Sequence, residues 1–283
     1  MLDSSGQMVP VRDISVHVQA VGSGPPLVVV GGPQLGHQYM RPLDDLAADF
    51  RLVYYDARGS GRTEVGDPSE LSFRGAVEDL EALRRSMDLD RISLLGHSLG
   101  GHVAYLYASR HPERMESLIL VDVGPPLDEE LGRRFWSAME TRRAPEEEEA
   151  GSRIRASAEF RSGEPLAVEL FIKNLYGPFF SDPATPAGLD WGFTPITVAN
   201  VLEYEARLMS TLDALDPVGS LGRVACRTLV VHGEADPIPW EFGKLIADRI
   251  PAARLVVIPG ASHFPFVEDR AAFLAAVRDF ASA

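Results

Sequence analysis

Cysteine is nearly absent from this sequence, and long apolar runs are missing altogether. Cys226 is the only cysteine among 283 residues, which excludes an intramolecular disulfide and predicts a small buried apolar side chain at that position. No apolar run approaches the roughly 18 residues that a membrane helix needs. The first residues, MLDSSGQMVPVRD, also lack the basic and then apolar pattern of a secretory signal. We therefore expect a cytoplasmic protein without a membrane span.

Positive charge is scarce as well. Lys and Arg number 27 against 41 Asp and Glu, and the formal net charge is -14 at pH 7. Such a chain repels the phosphates of DNA and RNA, and no cluster of basic and aromatic residues offers a local exception. We expect no nucleic-acid partner. The apolar share of 45% is sufficient for a sizeable core.

Short apolar runs, rich in valine, leucine and isoleucine, alternate with helical patterns along the chain. The runs cover residues 27–30, 52–55, 92–95, 118–121, 229–231 and 255–258. Continuous apolar runs are typical of strands that are covered on both faces, so the pattern predicts an α/β fold with a parallel, helix-covered sheet. An alternating segment at residues 11–20 predicts antiparallel strands at one edge.

The alternation stops between Pro125 and Leu215, and strand signals return at Arg227. This stretch is rich in helical patterns and reads as an insertion. The glutamates at 146–149 follow Pro145 and predict the solvated start of a helix rather than a metal site. We predict a core formed by residues 1–124 and 216–283, with residues 125–215 inserted as a helical cap.

Residues 96–100 read GHSLG and match the G-x-S-x-G nucleophile elbow. In this motif a strand turns abruptly into a helix, and the flanking positions must lack bulk. The motif here follows an apolar run and opens a helical pattern, which is the context that it requires. We predict that Ser98 is a nucleophile.

A serine nucleophile needs a base and a third group that holds the base in the correct tautomer. His263 and Asp236 each follow a late predicted strand, and the chain order Ser, Asp, His is the one expected for this elbow. Carboxyl ends of parallel strands share one edge of the sheet, so the three side chains are expected to converge there. His232 is a weaker alternative for the base, and Asp122 is a rival for the acid. Asp56 is expected to stabilise a turn.

Acyl transfer also needs N–H donors for the developing oxyanion. We predict the N–H groups of Leu99, at the start of the helix, and of Gly32, in the loop after the first central strand. His37 and Tyr39 follow that loop and are predicted to border the pocket that binds the substrate. Aromatic residues of the insertion are further candidates for the pocket, or for the core of the cap: Phe171, Tyr176, Phe179, Phe180, Trp191 and Phe193.

These segments together resemble the α/β-hydrolase superfamily. GHSLGG, GEADPIP and GASHFPFVED are close to the family patterns, and GGPQLGHQY and YYDARGSGRT resemble the proline iminopeptidase branch. Val30 departs from that branch, which usually has histidine before Gly-Gly. The resemblance implies an inserted helical cap whose acids bind the free amine of a substrate. Glu203 and Glu205 are nearest in context, although two residues apart on a helix they point in different directions.

The sequence predicts a serine hydrolase that cleaves an amide or ester of a small molecule in two acyl-transfer steps. No cofactor and no metal are expected, and the protein is expected to be a monomer or a small homo-oligomer. A carboxylesterase or lactonase, or a signalling receptor that retains the triad, stays open as an alternative because fold does not fix function. Ser98 disfavours dehalogenase and epoxide hydrolase chemistry, since the resembling enzymes have aspartate there.

Overall fold

A computed structural model of the chain describes residues 6–124 and 128–282, without the side chains of residues 187, 202, 203, 205, 206 and 213. It contains a sheet of eight strands in the order β1-β2-β4-β3-β5-β6-β7-β8. The strands are β1 Gln7–Val11, β2 Ile14–Val21, β3 Pro26–Val30, β4 Arg51–Tyr55, β5 Ile92–His97, β6 Met115–Val121, β7 Arg227–Gly233 and β8 Ala253–Ile258. Six of these strands include the apolar runs, which confirms the predicted α/β class.

The sheet is parallel from β4 to β8 and antiparallel at one edge. β1 pairs with β2, and β2 pairs with β4, in antiparallel register. All pairs from β4 through β3 to β8 are parallel. The antiparallel edge predicted from the alternating segment is therefore confirmed, and the carboxyl ends of the parallel strands share one edge.

Helices fill the intervals between the strands. They are α1 Phe73–Ser86, α2 Leu99–Arg110, α3 Glu129–Arg142, α4 Pro145–Ala156, α5 Ala158–Arg161, α6 Pro165–Tyr176, α7 Thr185–Gly188, α8 Pro195–Met209, α9 Pro217–Leu221, α10 Glu241–Arg249, α11 Pro265–Glu268 and α12 Arg270–Ser282. Short 3-10 segments cover His37–Ala48, Pro68–Glu70, Pro112–Arg114, Gly177–Phe179 and Asp213–Leu215.

The central strands are buried on both faces because successive side chains point to opposite sides of the sheet. In β3, Val28 and Val30 join a core that contains Phe73 of α1 and Val103 of α2. Leu27 and Val29 join the other core, together with residues of α12 and of the 3-10 segment His37–Ala48. This double coverage explains why the strands read as continuous apolar runs.

The elements between β6 and β7 are helical, from α3 to α9. Pro125, where the predicted cap begins, lies outside the described residues, so the division into a core and a cap stays a prediction. The glutamate run lies in α4, which starts at Pro145, as predicted. Within the described ranges, no helix combines the length and the apolar character that crossing a bilayer requires.

Candidate active site

Ser98 lies at the sharp turn between β5 and α2. Its backbone has φ 55° and ψ -123°, a left-handed conformation that is rare for a residue with a side chain. The Ser98 N–H donates to the carbonyl of Val121 at the end of β6 (2.9 Å), and its own carbonyl accepts from Gly101 (2.9 Å). These two backbone hydrogen bonds hold the turn in place. A rare backbone conformation that is held in this way is typical of functional positions.

The glycines of the motif are explained by close backbone approaches. A Cβ on Gly100 would lie 2.2 Å from the carbonyl oxygen of Val30 and 2.4 Å from that of Gly31. A Cβ on Gly96 would lie 2.7 Å from the carbonyl oxygen of Gly100. The start of α2 therefore packs directly against the loop that follows β3, which brings the elbow and the predicted oxyanion loop together.

His263 and Asp236 form a buried hydrogen-bonded pair. Nδ1 of His263 lies 2.8 Å from Oδ2 of Asp236, and neither side chain is more than 2% exposed. The other carboxyl oxygen of Asp236 accepts from the N–H of Ile238 (2.9 Å). Each residue lies in the loop after its strand, as predicted.

The electrostatics of this pair favour a charged carboxylate. Burial by itself would raise the pKa of Asp236, but the charge and hydrogen bond of His263, together with His232 and the Ile238 N–H, lower it below the usual value. An ionised Asp236 accepts the Nδ1 proton of His263, which leaves Nε2 of the neutral ring as an acceptor.

Backbone bonds place His263 beside the elbow. Its N–H donates to the carbonyl of Phe179 (3.1 Å), and its carbonyl accepts from Nε2 of His97, the residue before Ser98 (2.8 Å). The His97 and His263 rings are 4.8 Å apart between centroids. The structure therefore brings Asp236 and His263 to the turn that carries Ser98.

His97 also connects the elbow with the predicted oxyanion loop. Burial and the neighbouring His263 lower the pKa of His97 to about 3, so the ring is neutral and Nδ1 is an acceptor because Nε2 carries the proton. Nδ1 accepts from the Tyr39 hydroxyl (3.2 Å). The same hydroxyl accepts from the N–H of Gly32 (2.6 Å).

The bond between the Gly32 N–H and the Tyr39 hydroxyl affects one of the two predicted oxyanion donors. The N–H of Gly32 is directed at the Tyr39 hydroxyl, so a substrate oxygen would have to share or displace that contact. Leu99 is the first residue of α2, and N–H groups in a first helical turn have no intrahelical partner. The assignment of both donors stays a prediction, and the structure favours Leu99.

Asp122, the rival acid, follows β6 and is fully buried. Its Oδ1 accepts from the N–H of Gly233 (2.8 Å), whereas His263 is bonded to Asp236. His232, the alternative base, donates from Nε2 to the carbonyl of Ile238 (2.8 Å). The structure therefore favours Asp236 and His263 for the acid and base roles.

His37, one of the predicted substrate-binding residues, has both ring nitrogens in contact with other residues of the protein. Nδ1 of His37 lies 2.7 Å from Asp56, and Nε2 lies 3.0 Å from Oε1 of Gln19. Asp56 also accepts from the N–H of Arg62, which supports its predicted role in a turn. The side chain of His37 is 4% exposed and supports Asp56, and its place at the border of the pocket stays a prediction.

The predictions for the substrate pocket that concern Trp191, Glu203 and Glu205 fall on the region between β6 and β7. Trp191 is 1% exposed; it donates from Nε1 to Pro186 and stacks on Tyr39, with centroids 6.2 Å apart. Trp191 therefore packs between the helical region and the 3-10 segment that carries Tyr39, and its contact with a substrate stays a prediction. The side chains of Glu203 and Glu205 lie outside the described residues, so their role stays a prediction.

Arg142 of α3 is a residue that the sequence did not single out. Its guanidinium donates to the carbonyl of Ala235, beside Asp236, and lies 3.3 Å from Oγ of Ser262, beside His263. It also bonds the carbonyl of Pro178 (3.3 Å). This one side chain connects α3 to the two loops that carry Asp236 and His263. No local signal marks it, because its partners are remote in sequence.

A cavity of about 300 Å³ lies next to the loop that follows β3. Gln34 of that loop lines it and donates to the Tyr176 hydroxyl (2.9 Å), and a Cβ on Gly32 would lie 3.1 Å from the Gln34 amide oxygen. The remaining lining residues come from α4 to α8 and are mostly apolar: Arg155, Phe160, Phe171, Ile172, Leu175 and Val201. The cavity is large enough for a small organic group.

Comparisons with known proteins find hydrolytic enzymes of similar length. A proline iminopeptidase of Saccharolobus solfataricus is 28% identical over 273 residues, covering 92% of this chain and 85% of that protein. A fluoroacetate dehalogenase of a Burkholderia species is 28% identical over 304 residues, covering 98% and 93%. The structure of a thermophilic esterase from Thermogutta terrifontis has 25% identity and a TM-score of 0.70, with 98% of each chain covered.

Relatives of several hydrolytic activities thus share the length and fold of this chain, and proline iminopeptidases are among them, as the sequence motifs indicated. Residues 25–270 match the family described as the alpha/beta hydrolase fold. This match spans the turn at Ser98, the residues Asp236 and His263, and the helices described between β6 and β7. The chain belongs to the alpha/beta hydrolase fold family.

Proposed function

We propose that this protein is a serine hydrolase that cleaves an ester or amide of a small molecule through an acyl-enzyme. The observation that carries the proposal is the buried pair of His263 and Asp236, 2.8 Å apart, held beside the strained turn of Ser98. A nucleophile, a base and an orienting acid together are the requirement for acyl transfer by serine.

In the proposed first step, Oγ of Ser98 attacks the carbonyl carbon of the substrate and its proton passes to Nε2 of His263. Asp236 holds Nδ1–H and stabilises the imidazolium that forms. His263 then protonates the leaving group, and the C–O or C–N bond breaks. Water repeats the attack on the acyl-enzyme with His263 as base, which releases the acid and restores Ser98.

The N–H of Leu99 is our first donor for the oxyanion, because it lies at the positive end of α2. We retain the N–H of Gly32 as the second donor. In this role the Tyr39 hydroxyl keeps the amide desolvated and directed until the oxyanion forms and competes for it. This sequence of reactions requires neither a cofactor nor a metal.

We also propose that residues 125–215 act as a cap over the substrate. Three contacts support this role: Arg142 bonds the loops of Asp236 and His263, the carbonyl of Phe179 accepts from His263, and the N–H of Ser181 donates to Glu268 (2.6 Å). A cap that is bound to these loops admits only small molecules and excludes water from the reacting atoms.

The mostly apolar lining of the cavity beside Gln34 favours a substrate with an apolar acyl group, which would bind there. Among the described side chains that line the cavity, Arg155 is the one that carries a charge, and a guanidinium repels an ammonium group. We therefore favour uncharged or acidic acyl groups, as in esters, lactones and N-blocked amides. Aminopeptidase activity is the second candidate, supported by the resemblance to proline iminopeptidases.

A substrate panel tests these alternatives. It contains aminoacyl arylamides with and without N-acetylation, and p-nitrophenyl esters of short, medium and carboxylate-bearing acyl groups. We expect the esters to be turned over and N-acetylation to cause no loss. A preference for free amines of tenfold or more, about 1.4 kcal/mol in transition-state binding, would instead select the aminopeptidase. An Arg155→Gln variant serves as the control for the role of charge.

A further inference from the structure

Two buried aspartates lie side by side next to His263. Asp122 follows β6, Asp236 follows the neighbouring β7, and neither side chain is exposed. One carboxyl oxygen of each residue and a ring nitrogen of His263 lie within 4.8 Å of one another. Two carboxylates this close in a buried site do not both ionise, because their repulsion adds to the cost of desolvation.

The hydrogen bonds decide which of the two carries the charge. Asp236 accepts from Nδ1 of His263 (2.8 Å) and from the N–H of Ile238 (2.9 Å). Asp122 accepts on Oδ1 from the N–H of Gly233 (2.8 Å), while its Oδ2 is buried without a hydrogen-bond partner among the described residues. The charge therefore belongs on Asp236.

The other titratable groups around the pair do not supply a cation to Asp122. Nε2 of His232 lies 3.8 Å from Asp122 and 3.5 Å from Asp236, but it donates to the carbonyl of Ile238, and burial lowers the pKa of this histidine. Glu268 adds negative charge to the surroundings. Arg142 is directed at the carbonyls of Ala235 and Pro178.

We propose that Asp122 is a neutral carboxylic acid whose Oδ2–H donates to the carboxylate of Asp236. This makes Asp122 a positioning residue that acts through Asp236 on His263, the proposed base. The catalytic part of the inference rests on the proposed function. Burial, followed by the charge of Asp236, raises the pKa of Asp122 well above its usual value, which agrees with this assignment.

The bond would serve the site in two ways. It restrains the carboxylate of Asp236 so that Oδ2 stays directed at His263, and it keeps a second negative charge away from the imidazole. Asp122 has φ 49°, a conformation that asparagine also tolerates. Asparagine retains a donor at the same place, so Asp122→Asn is the conservative variant and Asp122→Gly removes the donor without backbone strain.

Infrared difference spectroscopy tests the protonation directly and without substrate. At about pH 8, where exposed carboxyl groups are ionised, we expect the C=O stretching band of a protonated carboxyl in the wild type and in Ser98→Ala. We expect the band to be absent from Asp122→Asn, and Asp122→Gly replaces that variant if it does not fold. Identical carboxyl spectra of wild type and variant would overturn the inference, whatever the function of Ser98.

The pH profile of kcat/KM tests the positioning role. If Asp122 is neutral, Asp122→Asn leaves the acidic limb of the kcat/KM profile at the same pH. Asp122→Gly lowers kcat/KM and moves this limb to higher pH, because Asp236 without its donor binds the imidazolium more strongly. If Asp122 were ionised, Asp122→Asn would move the limb down by about one pH unit or more, since a negative charge near His263 is removed. That shift would contradict the inference. Failure of the proposed function appears separately, as an inactive wild type that retains the carboxyl band.

Discussion

Asp236 and His263 are joined by a 2.8 Å hydrogen bond between Oδ2 and Nδ1, although a second aspartate, Asp122, lies in the same buried cluster. The pairing follows from the topology, since β7 and β8 are neighbours and their terminal loops run side by side. The N–H of Ala235 donates to the carbonyl of Ala261 (2.8 Å) and fixes these loops relative to each other.

Asp236→Asn is expected to lower kcat/KM by about 10⁴-fold, because asparagine would favour the wrong tautomer of His263. Asp122→Asn is the matched control and is expected to cost far less, since Asp122 has no direct bond to His263. Steady-state kinetics on any substrate found active in the panel decides. Equal activity of Asp236→Asn and the wild type would assign the acid to another residue.

Tyr39→Phe is expected to lower the free energy of unfolding by about 1 to 3 kcal/mol. The substitution leaves two buried groups without their partner, the N–H of Gly32 and Nδ1 of His97. Tyr105→Phe is the control, because the buried Tyr105 hydroxyl has no hydrogen-bond partner among the described residues. Urea unfolding gives the free energy of unfolding of both variants. Equal losses of this free energy would contradict the hydrogen bonds described for Tyr39.

His97 is expected to make the protein sensitive to acid. Its pKa is lowered to about 3 in the folded chain, so unfolding takes up a proton between the unfolded value of about 6.5 and pH 3. This contribution to stability is present above about pH 6.5 and is lost as the pH falls, by up to about 5 kcal/mol. His97→Gln removes it. The free energy of unfolding of the wild type is compared with that of His97→Gln across this range. A difference that stayed constant from about pH 7 to 4 would contradict the lowered pKa of His97.

Gly100→Ala is expected to destabilise the fold by about 1 to 3 kcal/mol or more, because the added methyl group meets the carbonyls of Val30 and Gly31. Gly132→Ala in α3 is the matched control, since a Cβ there meets nothing within 4 Å, and alanine favours a helix. Thermal unfolding measures both. Equal melting temperatures would show that the elbow and the oxyanion loop are further apart than described.

The sheet and the convergence of His263 with Asp236 could be predicted because their signals are local. Valine-rich runs mark buried strands, and His263 and Asp236 stand where such runs end, so topology alone brings them to one edge. The glycine spacing around Ser98 records a turn whose steric demand is also local.

Contacts made between remote segments could not be predicted in this way. The bond of Tyr39 to Gly32, the link of His97 to the His263 carbonyl and the contacts of Arg142 depend on how loops and helices pack. The position of His37 directly after the loop that follows β3 predicts a place at the border of the pocket. Nothing in the sequence near it shows that Asp56 and Gln19 occupy its ring nitrogens.

The covalent labelling of Ser98 tests the central claim most directly. The protein is incubated with a fluorophosphonate, and its intact mass is measured for the wild type, Ser98→Ala and Ser210→Ala, an exposed serine that serves as control. We predict one phosphonyl adduct on the wild type and on Ser210→Ala, none on Ser98→Ala, and a turnover reduced in Ser98→Ala by about 10⁴ to 10⁶-fold. An adduct that persists in Ser98→Ala, or a wild type that is never labelled, would contradict the assignment of Ser98 as the nucleophile.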